Sequence, residues 1–345
     1  MNIVVLAGGL SGERDVSLTS GTLICNALRR SGHNAILVDL FFGVEEIQGF
    51  ILDAFQISGK LEPYKVPPVA PDIDKVRASR VESGYGEIGK NVIELCRAAD
   101  IVFLGLHGET GENGRLQAVF DVMGIRYTGS GYLGSALAMN KGLTKQIFTN
   151  SGIRMAKGKV YTKAESAQIY SDFTLPVIVK PISGGSSIGV TKAATPEELQ
   201  TAIDSALKYE NEILVEQFIE GREFSCGILD DRALPLVEII PNEGFYDYEL
   251  KYQVGITTEV CPAELDEENT KKIQEMALKA HKALGLNVYS RVDFILGKDG
   301  GIYCLEANTL PGMTPTSLLP QEAGAVGIAY EALCEEIIRL SLKKY

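Results

Sequence analysis

YSRVDFILGKDGGIYCLEANTLPGMTPTSL, residues 289–318, holds two apolar runs, VDFIL and IYCLEA, on either side of GKDGG. Apolar runs of strand length around a Gly/Asp turn predict a β-hairpin. Arg291 and Asp293 fall on its first strand, and Glu306 and Asn308 at the end of its second. A carboxylate inside a sheet is costly unless it is paired or bound to a cation. From these residues alone two readings stay open. One is an internal ion pair between Arg291 and the acids. The other is a hard-cation site, in which Asp, Glu and Asn oxygens converge from adjacent strands and also meet phosphate oxygens.

Composition bounds what surrounds this hairpin. A chain of 345 residues predicts two or three domains. With 45% hydrophobic and 23% charged residues it reads as a globular protein with a sizeable core. A formal net charge of −12 argues against nucleic acid as the main partner, since phosphate backbones need basic surface. It leaves room for a nucleotide, which needs only a few local cations. The six cysteines form no CxxC pair and several sit in apolar runs, so they read as reduced core thiols of a cytoplasmic protein. MNIVVLAGG reads as a first strand and not as a signal peptide, and no apolar run reaches the length of a membrane span.

Upstream of the hairpin the chain alternates strands and helices. NIVVLA (2–7) is a buried strand. GGLSGERDVSLTSG then leads into a helical pattern through Leu28. A strand, a Gly-rich turn and a helix make an anion- or ligand-binding corner. The spacing of Gly8, Gly9 and Gly12 does not meet GxGxxG, so a dinucleotide reading fails. Glu13 lies in that corner, either as a surface acid favoured by the helix dipole or as a ligand group. HNAILVDL (33–40) is a second strand, and 57–90 reads as irregular. A helix over IGKNVIELCRAAD precedes the strand IVFLGL, which ends in HGETGENG. His107 is thus at a strand C-terminus, the edge where open α/β sheets place ligands. Anchoring its own loop is the other reading of that histidine. Alternation over 1 to about 128 predicts a Rossmann-like α/β domain.

Residues 130–152 read as one helix containing Lys141 and ending on Gly152. In LPVIVKPISGGSSIGVTK (175–192) a strand with Lys180 runs into a small-residue loop and a second strand. Such a loop can fold over a polyphosphate. There is no Walker A motif. EILVEQFIEGREFSCGIL (212–229) is strand, bend, strand, with Glu216 and Glu223 flanking the bend. Two acids there suit an adenine amine and a ribose diol, or are simply exposed. Residues 241–265 are aromatic-rich and aperiodic, and read as an ordered functional loop. Amphipathic helices follow at 266–285 and near the C-terminus.

The ordered set GGLSGERDVSL, GLHGETGENGRLQ, YTGSGYLGSALAMNK, PVIVKPISGGSSIGV, ILVEQFIEGREF, FYDYELKY, SRVDFIL and EANTLPGMTPTSLLP resembles the D-alanine–D-alanine ligases. These belong to the ATP-grasp family of carboxylate–amine ligases. The resemblance covers nearly the whole chain, least so 41–90. SGGSS stands where many relatives carry an acid before GSS. The resemblance implies an α/β protein: a Rossmann-like N-terminal domain, about 1–129, then a two-domain ATP-grasp fold, about 130–216 and 217–345.

It also implies roles. Lys141, Lys180, Ser187 and the loop 183–189 would hold ATP phosphates, with Lys251 at the transferred one. Glu216 and the backbone of Phe218 and Ile219 would hold adenine, and Glu223 the ribose. Asp293, Glu306 and Asn308 would bind two Mg²⁺ (or Mn²⁺). Glu13 and His107 would hold the first D-alanine's ammonium. Arg291 and the Gly312 N–H would face the oxyanion. Ser317 and the Leu318 N–H would hold the second substrate's carboxylate. Ser186 and Tyr252 would join Glu13 in a latch that keeps water from an acyl phosphate. The implied product is D-alanyl-D-alanine for peptidoglycan, made by a cytoplasmic homodimer with no nucleic-acid or membrane partner. Tyrosine at 252 is what dipeptide-forming members carry. The rival readings are a same-fold ligase taking D-lactate or D-serine second, and a nucleotide-binding homologue without catalysis.

Overall fold

The computed structural model describes residues 1–47, 49–56, 59–62, 64, 66–67, 69–81, 85–185, 189–241 and 257–345. These residues form three sheets.

The first sheet is parallel, with β1 (Asn2–Ala7), β2 (Asn34–Asp39) and β3 (Ile101–Leu104) in the order β2-β1-β3. β1 and β3 are buried on both faces, which is why they read as unbroken apolar runs. The helix Arg14–Arg30 starts directly after the Gly-rich corner. Gly8 turns that corner with φ +74°, and a Cβ there would lie 2.5 Å from the Asp39 carboxylate. Within 57–90, expected to be irregular, a short helix forms at Ile73–Ser79. Asp72 caps it by accepting from the Lys75 N–H at 3.1 Å. Residues 57–58, 63, 65, 68 and 82–84 of that stretch lie outside the described residues.

The periodicity predicts one helix through 130–152, but two form, Tyr132–Met139 and Lys141–Asn150. Asn140 separates them. Its ψ of 98° leaves the helical region, and its side-chain oxygen accepts from the Leu143 N–H at 2.9 Å. A short amide side chain offers the backbone a local partner that competes with helix continuation. Lys141 is therefore not inside a helix but at the first position of a new one.

β4 (Gly158–Thr162), β5 (Val177–Pro181), β6 (Thr191–Ala193) and β7 (Glu212–Gln217) make the second, antiparallel sheet, in the order β4-β7-β5-β6. The helix Pro196–Ala206 packs on it through Leu199, Ala202 and Ile203 against Val177, Val179 and Val215. A capping box between Thr195 and Glu198, with Pro196 in the first turn, fixes where that helix starts.

The third sheet contains β8 (Gly221–Leu229), β9 (Arg232–Ala233), β10 (Val237–Pro241), β11 (Thr257–Val260), β12 (Tyr289–Gly297) and β13 (Ile302–Asn308). Its order is β11-β10-β8-β12-β13, with β9 on β8. The expected hairpin is β12–β13. Arg291 stands opposite Asn308 and Asp293 opposite Glu306, and a bulge follows Asp293. The helix Glu267–Ala283 covers this sheet through Ile273, Ala277 and Ala280. Of the aromatic-rich stretch 241–265, residues 242–256 lie outside the described residues.

After β13 the chain returns to the first sheet. Leu310, Met313, Leu319, Leu333 and Ile337 share one core with Val5, Phe103 and Leu106. The segment leaving the hairpin is thereby held beside the end of β3. All six cysteines are free thiols, five of them buried. No described helix is long and apolar enough to cross a membrane.

Candidate active site

A cavity of about 250 Å³ opens between the second and third sheets. Lys141 and Lys180 line it from one side, and Asp293 and Glu306 from the hairpin. Glu216, Phe218, Ile219 and Glu223 line it along β7, the bend and β8. Eight of the residues singled out from the sequence thus meet at one cavity.

Glu216 is buried between two ammonium groups. Lys180 Nζ lies 2.5 Å from its Oε2 and Lys145 Nζ 2.8 Å from its Oε1. Burial opposes the charge on Glu216, but the two lysines outweigh it and hold the carboxyl below the ordinary carboxylate range. Burial likewise opposes the charge on Lys180, and Glu216 with Glu306 outweighs it and raises the ammonium above its usual range. Lys141 donates from Nζ to the Gly184 carbonyl at 2.6 Å and stands 3.8 Å from Glu306. Its backbone N–H donates to Ile182 at 2.9 Å. The start of the small-residue loop is thus fastened to that helix. Glu210 fastens the same place from outside, accepting from the N–H groups of Ile182 at 3.0 Å and Ser183 at 3.1 Å.

On the hairpin, Arg291 chelates Asp293: Nε to Oδ1 at 2.9 Å and Nη2 to Oδ2 at 2.8 Å. Ser225 donates to Asp293 Oδ1 at 2.9 Å and Asn308 to Oδ2 at 3.1 Å. Between the two readings left open by the sequence, the ion pair is the arrangement observed. No group of three or more His, Cys, Asp or Glu suited to a metal occurs among the described residues. The donor set still fits a hard cation. Asp293 and Glu306 offer oxygen ligands from register-paired positions of neighbouring strands, and Asn308 offers one two residues beyond Glu306.

A second cluster adjoins the cavity where the loops after β1, β3 and β13 meet. Glu13 is the residue before the first helix, and its side chain makes no capping bond. A Cβ on Gly108 would lie 2.9 Å from Glu13 Oε2, and one on Gly185 2.8 Å, so glycine at both places admits the carboxylate. His107 is buried with both ring nitrogens engaged. Nδ1 lies 3.1 Å from the Leu310 carbonyl, which can only accept, and Nε2 lies 3.1 Å from Ser20 Oγ. Burial pushes its pKa down, against the pull of Glu13. This is the geometry of an anchoring histidine, tying the loop after β3 to the loop after β13. Near Gly312, a Cβ would lie 2.8 Å from Ser317 Oγ. Ser317 Oγ accepts from the Thr314 N–H at 3.1 Å, and Leu318 opens the helix Leu318–Ala325. The first N–H groups of a helix have no partner within it, so this end can meet a carboxylate. Ser186, Ser187, Lys251 and Tyr252 lie outside the described residues.

Lys145, Glu112 and Glu210 were not read from the sequence. Glu112 accepts from the Gly108 N–H at 2.9 Å and the Leu310 N–H at 3.3 Å, bridging the same two loops as His107. Burial first, and the charge of Glu13 second, push its carboxyl up to about 8, against the two N–H groups and Arg291. An unfolded glutamate titrates near pH ~4.3. Between those values the native state holds the extra proton, so stability falls as pH rises through that window, and the full loss is reached above it. Glu112→Gln removes this charge. The melting temperature of the variant minus that of the native protein should therefore grow from about pH 5 to about pH 9. A difference that stays constant over that range would show that Glu112 carries no such proton.

Two family models match the chain: "D-ala D-ala ligase N-terminus" over residues 2–130 and "D-ala D-ala ligase C-terminus" over residues 140–339. The D-alanine–D-alanine ligase of Pediococcus pentosaceus is 45% identical over 347 residues, spanning 100% of this chain and 99% of the relative. That of Lacticaseibacillus casei is 40% identical, spanning 100% and 97%. Among solved structures, the D-alanine–D-alanine ligase from Bacillus anthracis complexed with ATP superposes with a TM-score of 0.76. It is 29% identical and covers 100% of this chain and 98% of that one.

Proposed function

The chain belongs to the D-alanine–D-alanine ligase family, and from that premise we propose how its residues carry out the reaction. The enzyme uses ATP to join two D-alanines into D-alanyl-D-alanine for peptidoglycan. The observation that carries the assignment of roles is the cavity itself. Two lysines face two hairpin acids across it, and a bend with acids on both sides closes it.

In this reading ATP lies in the cavity. Adenine meets Glu216 and the backbone of Phe218 and Ile219, the ribose meets Glu223, and the phosphates meet Lys141, Lys180 and the small-residue loop with Ser187. Lys251 meets the transferred phosphate. Asp293, Glu306 and Asn308 would hold the divalent cations, Mg²⁺ or Mn²⁺, which when bound neutralise phosphate charge. Glu13 pairs with the ammonium of the first D-alanine, and His107 with Glu112 holds the loops that frame it. A carboxylate oxygen of that D-alanine attacks the γ-phosphorus. The bond to the β-phosphate oxygen breaks, ADP departs, and an acyl phosphate remains. Ser317 Oγ and the Leu318 N–H hold the carboxylate of the second D-alanine. Its neutral amine attacks the acyl carbon. Arg291 and the Gly312 N–H stabilise the oxyanion, phosphate leaves, and the amine loses a proton. Ser186, Tyr252 and Glu13 close the site against water.

The test is phosphate release with D-alanine alone and in equal mixture with D-lactate or D-serine, products being identified by mass. D-alanyl-D-alanine should dominate between about pH 7 and 8, because a site built for a polar group rejects its analogue strongly. Dominant depsipeptide there would overturn the choice of second substrate and leave the ligase assignment standing. A cytoplasmic homodimer completes this reading. Exposed Val119 and Val122 on the helix Arg115–Met123, with exposed Tyr132 and Leu133 nearby, support a partner surface. Light scattering that returned a monomer mass would discard it.

A further inference from the structure

Lys145 does not line the cavity, yet it grips a residue that does. It lies one helical turn after Lys141, is partly buried, and donates to the Ala156 carbonyl and to Glu216 Oε1 at 2.8 Å. Gly158 on β4 stands opposite Glu216 on β7. A Cβ at 158 would lie 2.7 Å from Glu216 Cγ and 2.7 Å from Lys145 Cε. The missing side chain is the opening through which the lysine crosses β4 to reach the carboxylate. Lys180 holds the other oxygen at 2.5 Å. Glu216 is thus fixed from both sides, and its orientation toward the cavity is not its own choice.

We propose that Lys145 is a positioning residue for the nucleobase, fixing Glu216 as a pure hydrogen-bond acceptor and so setting the preference for a 6-amino purine over a 6-oxo purine. This rests on the reading of Glu216 as the group that meets adenine. An ionised carboxylate accepts and cannot donate. A 6-amino group supplies the donor it needs, whereas a 6-oxo group brings lone pairs against lone pairs. Without Lys145 the carboxylate loses the partner on Oε1 and swings toward Lys180. Its contact with the base weakens, and its refusal of a 6-oxo group weakens with it.

The experiment is steady-state kinetics of the full chain with ATP and with ITP as the varied nucleotide. Lys145→Met should raise KM for ATP about tenfold, the scale of one hydrogen bond to a charged group, with kcat within about twofold. The ATP-over-ITP ratio of kcat/KM should fall by about the same factor. Lys145→Arg, which restores the charge and reach, should recover most of both. A merely structural ion pair predicts instead an equal loss of active enzyme with both nucleotides and an unchanged ratio, which would overturn the proposal. Glu216→Gln separates the proposal from its premise. If that variant leaves the ratio unchanged, Glu216 does not read the base, and premise and proposal fall together. If it changes the ratio while Lys145→Met does not, only the proposal falls. Should Lys145→Met not fold, Gly158→Ala carries the test. It keeps every charge but pushes Glu216 and Lys145 apart, and the same fall in ratio is expected; an unchanged ratio there overturns the proposal.

Discussion

Arg291→Met should lower kcat by about two orders of magnitude or more, the loss seen when an oxyanion donor is removed, while KM for ATP changes little. The side chain lies on the central hairpin strand, paired with Gly227 on β8 and Asn308 on β13. It is largely buried and chelates Asp293 with two bonds. Methionine has a comparable length and no charge, so Asp293 keeps only Ser225 and Asn308 as observed partners. Breaking a buried pair on one side costs about 3–5 kcal/mol of stability. Buried Glu322 is a neighbour of this pair. Its own burial, opposed by Arg291 and aided by Asp293, holds it well above the ordinary carboxylate range. A lower melting temperature is therefore expected and does not by itself speak to catalysis. Arg291→Lys separates the two effects. It returns the charge and much of the stability, but an ammonium is a point charge that cannot chelate Asp293 and present a planar donor to the oxyanion at once. Its kcat should remain about two orders of magnitude low. Near-normal turnover in Arg291→Lys would remove the oxyanion role and leave Arg291 as the structural partner of Asp293.

The hairpin was legible because its apolar runs are bounded by a Gly/Asp turn, and because four polar side chains interrupt a buried strand pattern where burial alone would exclude them. The first sheet was legible for the same reason: β1 after Asn2 and the whole of β3 are buried and read as unbroken apolar runs. The break at Asn140 was not, since apolar periodicity continues across it and only the cap chemistry of one amide ends the helix. Nor could the sequence announce Lys145 or Glu112. Lys145 meets a carboxylate 71 positions away, and Glu112 receives an N–H from 198 positions away. On a helix a lysine is ordinarily solvated. What makes Lys145 different is the absent side chain of Gly158, a property of strand pairing that no local pattern records. The choice between ion pair and cation site also depends on where the Arg291 fork points, which follows from packing and not from spacing.

Glu306→Gln should abolish most of the stabilisation that a divalent cation adds to ATP, and lower turnover by about two orders of magnitude or more. Glutamine keeps the shape and removes one charge. Without ligands the change is mild, since Glu306 is partly exposed and Lys141 stands 3.8 Å from it. ATP in the presence of a chelator brings only negative charge to the cavity. There the variant should be stabilised at least as well as the native protein, because the charge of Glu306 no longer offsets that of Lys141 and Lys180. Adding Mg²⁺ should reverse that order. A ligand present at about a hundred times its Kd stabilises the state it binds by about 2.7 kcal/mol, and Mg²⁺ adds such an increment only where oxygen ligands complete its shell. The native protein should show a clear rise in melting temperature on going from ATP alone to ATP with Mg²⁺, and Glu306→Gln little or none. If the carboxyl serves only the lysines, both proteins gain equally from Mg²⁺. That outcome would withdraw Glu306 from the cation site and leave the Arg291–Asp293 pair as the whole electrostatic purpose of the hairpin.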